Sequence, residues 1–447
     1  MPSVEDAVVV GVVAIAGTLV GAVFACVPGL HVYNIMALVV LVSHWLATTG
    51  TPSQAEIVVP LMISLTVAWA MVNTIPSTLL AAPDESALFT VLPGQKFLMM
   101  GRGYEGTMIT GAGGLVGAFI LVVGAGCLAP KLLPPLTTVF RPHTHWVLWT
   151  VICFMLMSEW PKGGRLGHAG WKMFFDGWKN TGPGLVTFLL AGLLGFVLLY
   201  RSPIAADSAF QNLMPAFVGL FTIPWLLLNL VSGIQIPQQR FTIESSPDRF
   251  IVLQGAFAGG FGGGFAAFFP VMTGGIGGFL AGHATALRDD RVFLASQGAS
   301  KFIYYAGGLL FFFVPGVHLT RGGAAWMIKG LHVPHTYADF YMALACVALS
   351  AAVSFLLLGP LTRATITVIQ RVSYQRISFI ALLFVVALVH YVTGFAGLYI
   401  LVVATGIGLL PVLYGSRRMN CLSVILLPMA CNMSGVGSTI AGWLGLL

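Results

Sequence analysis

Two stretches of the chain could hold an anion, and they share one skeleton. Gly17-Thr-Leu-Val-Gly21-Ala-Val-Phe-Ala-Cys-Val-Pro28 and Gly259-Gly-Phe-Gly-Gly263-Gly-Phe-Ala-Ala-Phe-Phe-Pro270 both read glycine, three residues, glycine, six residues, proline. Each breaks a long apolar stretch near its middle. A helix restarting after such a break points unpaired N–H groups and the positive end of its dipole at whatever lies in the break. Pro28, Gly29 and Asn34 at the first break, and Pro270, Thr273 and Gly274 at the second, are therefore candidate solute contacts. Asn73, Ser77, Ser296 and Ser300 in the following segments could add side-chain donors. The plainer alternatives stay open: Gly-x3-Gly is also a helix-packing face, and Asn and Ser also hydrogen-bond between helices.

Ionisable side chains at membrane depth are expensive and few. Lys301 opens the segment after the second break, and Asp84 and Glu85 follow the Asn73 segment at the mouth of the first. The two carboxylates are candidates for ion coupling, or form a solvated loop or a helix cap just after Pro83. Lys301 either neutralises an anionic solute, or takes the place of a coupling cation, or snorkels to headgroups. Asp289 and Asp290, between Arg288 and Arg291, read as a salt-bridged turn. His143 with His145, and His332 with His335, have no third ligand nearby, so no metal site is expected.

The elements that must position these residues are membrane helices. With 57% apolar residues, 8% charged residues and a mean hydropathy of +0.93, the chain is far outside soluble composition. Apolar segments fall near 7–26, 31–47, 57–81, 106–129, 144–158, 181–200 and 213–234, then near 251–269, 271–287, 292–315, 337–360, 377–393, 395–415 and 421–446. The fold class expected is an all-α polytopic membrane protein of two repeats, residues 1–234 and 235–447, each a Pro/Gly-broken helix pair followed by five spans. Six cysteines in or beside apolar runs, with no Cys-x-x-Cys, read as small core residues.

Charge placement supports the plan, because cytoplasmic loops collect Lys and Arg. Alternating the segments with loop 83–105 inside puts fifteen basic residues inside and five outside: Lys131, Arg141, Arg201, Arg321 and Lys329. With Lys301 in a span these are all 21. Five spans between the broken pairs is an odd number, so the repeats are expected to be inverted. Whether the pairs are re-entrant hairpins or full double crossings is left open by hydropathy. Trp160, Trp171 and Trp178, interleaved with Lys162, Lys172 and Lys179, suit an interfacial helix against membrane lipids and not a nucleic-acid patch.

Several patches resemble one family. Gly21 to Leu30, Asn73-Thr-Ile-Pro76-Ser77, Leu92-Pro-Gly94 with Gly101-Arg-Gly-Tyr104, and Arg288-Asp-Asp-Arg291 with Phe293-Leu-Ala-Ser296-Gln-Gly298-Ala-Ser300 are similar to the TctA-type large membrane subunit of tripartite tricarboxylate transporters, closest to a shorter stand-alone branch. The resemblance covers essentially the whole chain and brings Pro76 into the candidate site. It implies a carboxylate carrier driven by a sodium or proton gradient, with no other cofactor, and served by a small membrane subunit and an extracytoplasmic binding protein. Two positions depart from the family pattern: Val271 stands where glycine follows the proline, and Lys301 stands where the motif ends in Asn.

The expectation is a permease for a small anionic solute in the cytoplasmic membrane, with a homodimer as one assembly to consider. The alternative is a translocase of an anionic lipid such as a polyprenyl phosphate. An intramembrane enzyme is disfavoured, because the spans hold no His-Glu-x2-His, no Gly-x-Ser-x-Gly and no paired catalytic Asp motif.

Overall fold

With no water in hydrocarbon to satisfy backbone groups, each apolar segment must bond within itself, and the chain does so through helices. The computed structural model describes all residues except 1–3, 49–54, 83, 160–169, 180, 205–211, 234, 243–248 and 286–288, and no strand occurs among those described. Pro83, Trp160, Lys162, Arg165 and Arg288 lie outside the described residues. In chain order the helices are α1 (Val4–Ala25), α2 (Val32–Thr48), α3 (Ala55–Val72), α4 (Thr74–Leu79), α5 (Val91–Met99), α6 (Gly103–Phe140), α7 (Thr144–Met157), α8 (Trp171–Trp178), α9 (Thr181–Tyr200), α10 (Met214–Phe217) and α11 (Ile223–Ser232). They continue as α12 (Arg249–Phe268), α13 (Gly274–Ala284), α14 (Asp290–Phe312), α15 (Gly322–Lys329), α16 (Tyr337–Arg371), α17 (Tyr374–Tyr414), α18 (Ser423–Met433) and α19 (Gly437–Trp443). Among the described residues, eight helical stretches are long and apolar enough to cross a membrane. The chain is a polytopic helical membrane protein.

Two compact units divide the chain, and each draws on both halves of the sequence. The first takes residues 1–138 and 229–381, and the second takes residues 139–228 and 382–447.

In the first unit the shared skeleton has a packing role. A Cβ on Gly17 would lie 3.0 Å from Leu61 and Ser64, and one on Gly21 would lie 3.0 Å from Ala68. A Cβ on Gly259 would lie 2.0 Å from the Ser296 carbonyl oxygen, and one on Gly263 would lie 2.6 Å from that of Ser300. In each copy, then, the first arm of the hairpin runs alongside the next helix, tightly against α3 in the first and, in the second, against α14 at a distance only glycine permits. The second arm runs back. The Thr66 hydroxyl donates to Met36 Sδ at 3.4 Å while the His31 ring lies 5.6 Å from Trp69. In the second copy Gly274 meets Lys301, Gly278 meets Gln297 and Gly282 meets Phe293. The tip of the second hairpin therefore sits beside Lys301, about halfway along α14. With 11 residues, α13 is about 16 Å long, roughly half the hydrocarbon core, and cannot cross it.

Both breaks use left-handed backbone. Gly29, after Pro28, has φ 81°, and Val271, after Pro270, has φ 54°. Glycine accepts this freely, whereas a β-branched residue there is strained.

Several boundaries differ from those expected. The 57–81 segment is one stretch long enough to cross a membrane, Ala55–Leu79, with a local irregularity at Asn73 between α3 and α4, where Pro76 has no N–H for the Val72 carbonyl. Segments expected to end at 129 and 360 read through Pro130, Pro134, Pro135 and Pro360 as α6 and α16. In α6 the hydroxyls of Thr137 and Thr138 both donate to the Pro134 carbonyl. Segment 421–446 is not one span but two short helices, α18 and α19, bent by 114°. Gly394, at φ 65° and ψ −160°, interrupts α17 where two spans were expected to meet. Cys346, Cys421 and Cys431 are buried as expected, but Cys127 and Cys153 lie exposed on helix surfaces.

The second unit packs Met214, Val218 and Ile223 against Val385, Val389 and Leu401. Between α10 and α11 the backbone makes a π-turn over Val218–Thr222, and Pro224 cannot donate to the Leu220 carbonyl. Arg418 compensates: its Nη2 donates to the Phe221 carbonyl at 2.9 Å and reaches the Leu220 carbonyl at 3.5 Å, with the guanidinium 4.7 Å from the Trp225 ring. Buried Glu159 accepts from the Arg417 backbone N–H and, at 3.0 Å, from Asn420 Nδ2.

Candidate functional site

The site belongs to the first unit and is organised on one face of α14. Lys301 and Tyr305, four residues apart, point the same way, and each meets a different hairpin. Lys301 backs the restart of α13, where a Cβ on Gly274 would lie 2.9 Å from its Cα. Tyr305 Oη lies 3.2 Å from His31 Nε2, just before α2 begins. The two helix breaks therefore reach one helix about one turn apart.

Lys301 does not extend to a polar surface. Only 3% exposed, its ammonium donates to Asp84 Oδ2 at 2.9 Å and to Asn73 Oδ1 at 2.6 Å. Nor is Asp84 solvated: it accepts further bonds from Trp69 Nε1 at 3.2 Å and from the backbone N–H groups of Ser86 and Ala87 at 3.0 and 2.7 Å. Tyr305 Oη lies 3.3 Å from Asp84 Oδ2 and 3.1 Å from Glu85 Oε1. The remaining oxygen of Glu85, Oε2, faces His31 Nε2 at 3.3 Å. The Tyr33 backbone N–H donates to His31 Nδ1 at 3.2 Å, which leaves Nε2 to face Glu85 and Tyr305. All four carboxylate oxygens thus face N–H or O–H donors, and the set holds two carboxylates and one ammonium.

Thr273 caps α13 by accepting from the Ile276 N–H at 3.3 Å. Ser300 donates to the Gly274 carbonyl at 2.7 Å, pinning the same restart. A Cβ on Gly275 would lie 3.0 Å from the Glu85 carbonyl oxygen, so the loop bearing both carboxylates packs on the α13 N-terminus. Thr273, Gly274, Ser300, Lys301, Asn73, Asp84 and Glu85 are thus brought together. Pro28 and Gly29 form the first turn, and Pro270 the second. Asn34, Ser77 and Ser296 are buried but outside this network. Ser77 and Ser296 donate to carbonyls of their own helical segments, Pro76 lies within α4, and Asn34 Nδ2 has no partner.

Sequence reasoning passed over His31, Tyr305, Trp69 and Arg321. Tyr305 could have been found by its spacing of four from Lys301, and His31 by its place directly after the first break. Arg321 read as an outside loop residue. It lies in the connection before α15 and donates from Nε to the Phe268 carbonyl at 3.1 Å, at the end of α12.

The turn into α14 is salt-bridged. Arg291 pairs with Asp289 at 3.1 Å, and Lys96 pairs with Asp290. Hydrogen bonds from the Arg291 side chain and backbone hold the exposed Asp289 carboxyl below its usual range. The Gly101–Tyr104 motif is a brace: Arg102 forks onto buried Glu105 at 2.6 and 2.8 Å, and the Gly103 N–H donates to Gln239 Oε1 at 2.9 Å.

A family model described as Tripartite tricarboxylate transporter TctA family matches residues 12–423. The chain is similar to an uncharacterized protein of Methanocaldococcus jannaschii, 23% identical over 419 residues, which cover 93% of this chain and 96% of that protein. No solved structure matches.

Proposed function

The chain belongs to the tripartite tricarboxylate transporter TctA family, and on that footing we propose that it is a permease for a small carboxylate solute, bound where the two helix breaks meet α14. The observation carrying this reading is the approach of both breaks to Lys301 and Tyr305, with the restart of α13 against the carboxylate-bearing loop. Interrupted helices in corresponding positions of two halves are the usual construction of a transporter site. We take residues 1–234 and 235–447 as its inverted repeats, and the cytoplasmic membrane as its location. A small membrane subunit and an extracytoplasmic binding protein are its proposed partners.

The coupling ion in this reading is a proton. A sodium ion needs several free oxygen ligands, whereas every carboxylate oxygen in the cluster already faces a donor. A proton needs one oxygen only, and the His31–Tyr305–Glu85 contacts give it a hydrogen-bonded path.

The test is uptake into proteoliposomes of citrate, succinate, tartrate and a polyprenyl phosphate, each under an imposed pH gradient and an imposed sodium gradient. The proposal expects one or more carboxylates to accumulate with the pH gradient. Movement of the lipid phosphate alone would replace it with the lipid-translocase reading, and accumulation driven by sodium alone would remove the proton.

A further inference from the structure

Lys301 uses two of its three N–H groups on Asp84 and Asn73, and its charge already faces the Asp84 carboxylate, so a second cation without a carboxylate partner would be the freer one to meet an incoming carboxylate. Arg321 has the required position. It precedes α15, whose first residues lie against the first hairpin: a Cβ on Gly323 would lie 2.8 Å from the Tyr33 ring, and one on Gly322 would lie 3.4 Å from Tyr33 Oη. Its own side chain reaches the second hairpin, with Nε on the Phe268 carbonyl. A Cβ on Gly308 would lie 3.9 Å from Arg321 Cβ, which sets Arg321 about one turn beyond Tyr305 along α14. Among the described residues no carboxylate pairs with this guanidinium, and the hydrogen bond it makes runs through Nε, leaving Nη1 and Nη2 for a ligand. A guanidinium pinned through Nε presents its other two nitrogens as a fixed fork, the geometry that matches a planar carboxylate.

We propose that Arg321 receives the solute carboxylate through Nη1 and Nη2, and so selects planar carboxylates; this rests on the site reading given above. The Nε bond alone is a helix cap, and a cap has no need of charge. Glutamine can keep such a cap without the charge, and lysine keeps the charge without the fork.

Citrate, succinate and inorganic phosphate are titrated onto the purified full chain by calorimetry, with wild type, Arg321→Gln and Arg321→Lys compared after a size-exclusion check of folding. A charge-assisted bond is worth about 1.5–3 kcal/mol, so a carboxylate Kd raised about tenfold to a hundredfold is expected for Arg321→Gln. For Arg321→Lys the carboxylate preference over phosphate should shrink. Unchanged citrate and succinate affinity in Arg321→Gln would overturn the role of Arg321 while leaving the site reading intact. Failure of wild type to bind either carboxylate would overturn both. If the variants do not fold, phenylglyoxal modification of the wild-type chain, mapped by mass spectrometry with and without citrate, decides the matter. Protection of Arg321 is expected, and equal modification would overturn the proposal.

Discussion

Separating Lys301 from Asp84 should destabilise the chain unequally, depending on which partner is removed. The pair is buried, with both side chains 3% exposed and 2.9 Å between Nζ and Oδ2. Removing one member of a buried ion pair costs about 3–5 kcal/mol, because the other charge stays behind. In Lys301→Met the Asp84 carboxylate still faces Trp69, Tyr305 and two backbone N–H groups, so the loss should sit near the lower figure. In Asp84→Asn the ammonium keeps only neutral oxygens, chiefly Asn73 Oδ1, and the loss should approach the upper one unless the lysine sheds its proton. The double variant removes both charges and should cost at least about 2 kcal/mol less than the sum of the singles. Unfolding in mixed micelles titrated with denaturing detergent, followed by tryptophan fluorescence, gives all three values. Additive effects, or single variants within about 0.5 kcal/mol of wild type, a range typical of surface substitutions, would refute the buried pair.

Val271→Gly should stabilise the chain by about 1 kcal/mol, the strain relieved at φ 54° less the entropy that glycine loses, whereas Gly29→Val should destabilise it and abolish uptake; the same unfolding titration and an uptake assay check both. Glu85→Gln removes the proposed proton site beside His31, so carboxylate uptake should lose its acceleration by an inward pH gradient; unchanged gradient dependence counts against that role. Arg418→Leu leaves the Phe221 and Leu220 carbonyls without their donor and should cost about 1–3 kcal/mol, with no change in the KM of uptake.

Hydropathy made most helices legible, and the glycine-proline skeleton marked both hairpins, because the backbone contacts of Gly259 and Gly263 demand glycine and those of Gly17 and Gly21 favour it. The departure at Val271 proved informative: it takes the same left-handed turn that Gly29 takes in the first copy. The partners of Lys301 were not legible. Asn73 is 228 residues away, and nothing local to either residue announces that tertiary contact. Proline misled the boundaries of α6 and α16, since a long helix supported by neighbours tolerates lost N–H donors that would stop a short one. Arg321 was hidden because polar residues between apolar runs read as surface loop, while its tertiary contacts bring it to the second break.

Occupancy of the breaks by solute is the central claim, and thiol protection measures it most directly. Val271→Cys places a half-buried thiol at the second turn, and native Cys127, exposed on α6, serves as the internal control. Both are reacted with a methanethiosulfonate reagent in proteoliposomes, with and without the carboxylate taken up best. The account predicts that solute slows modification at position 271 and leaves Cys127 unchanged. Equal rates at position 271 with and without saturating solute would contradict it.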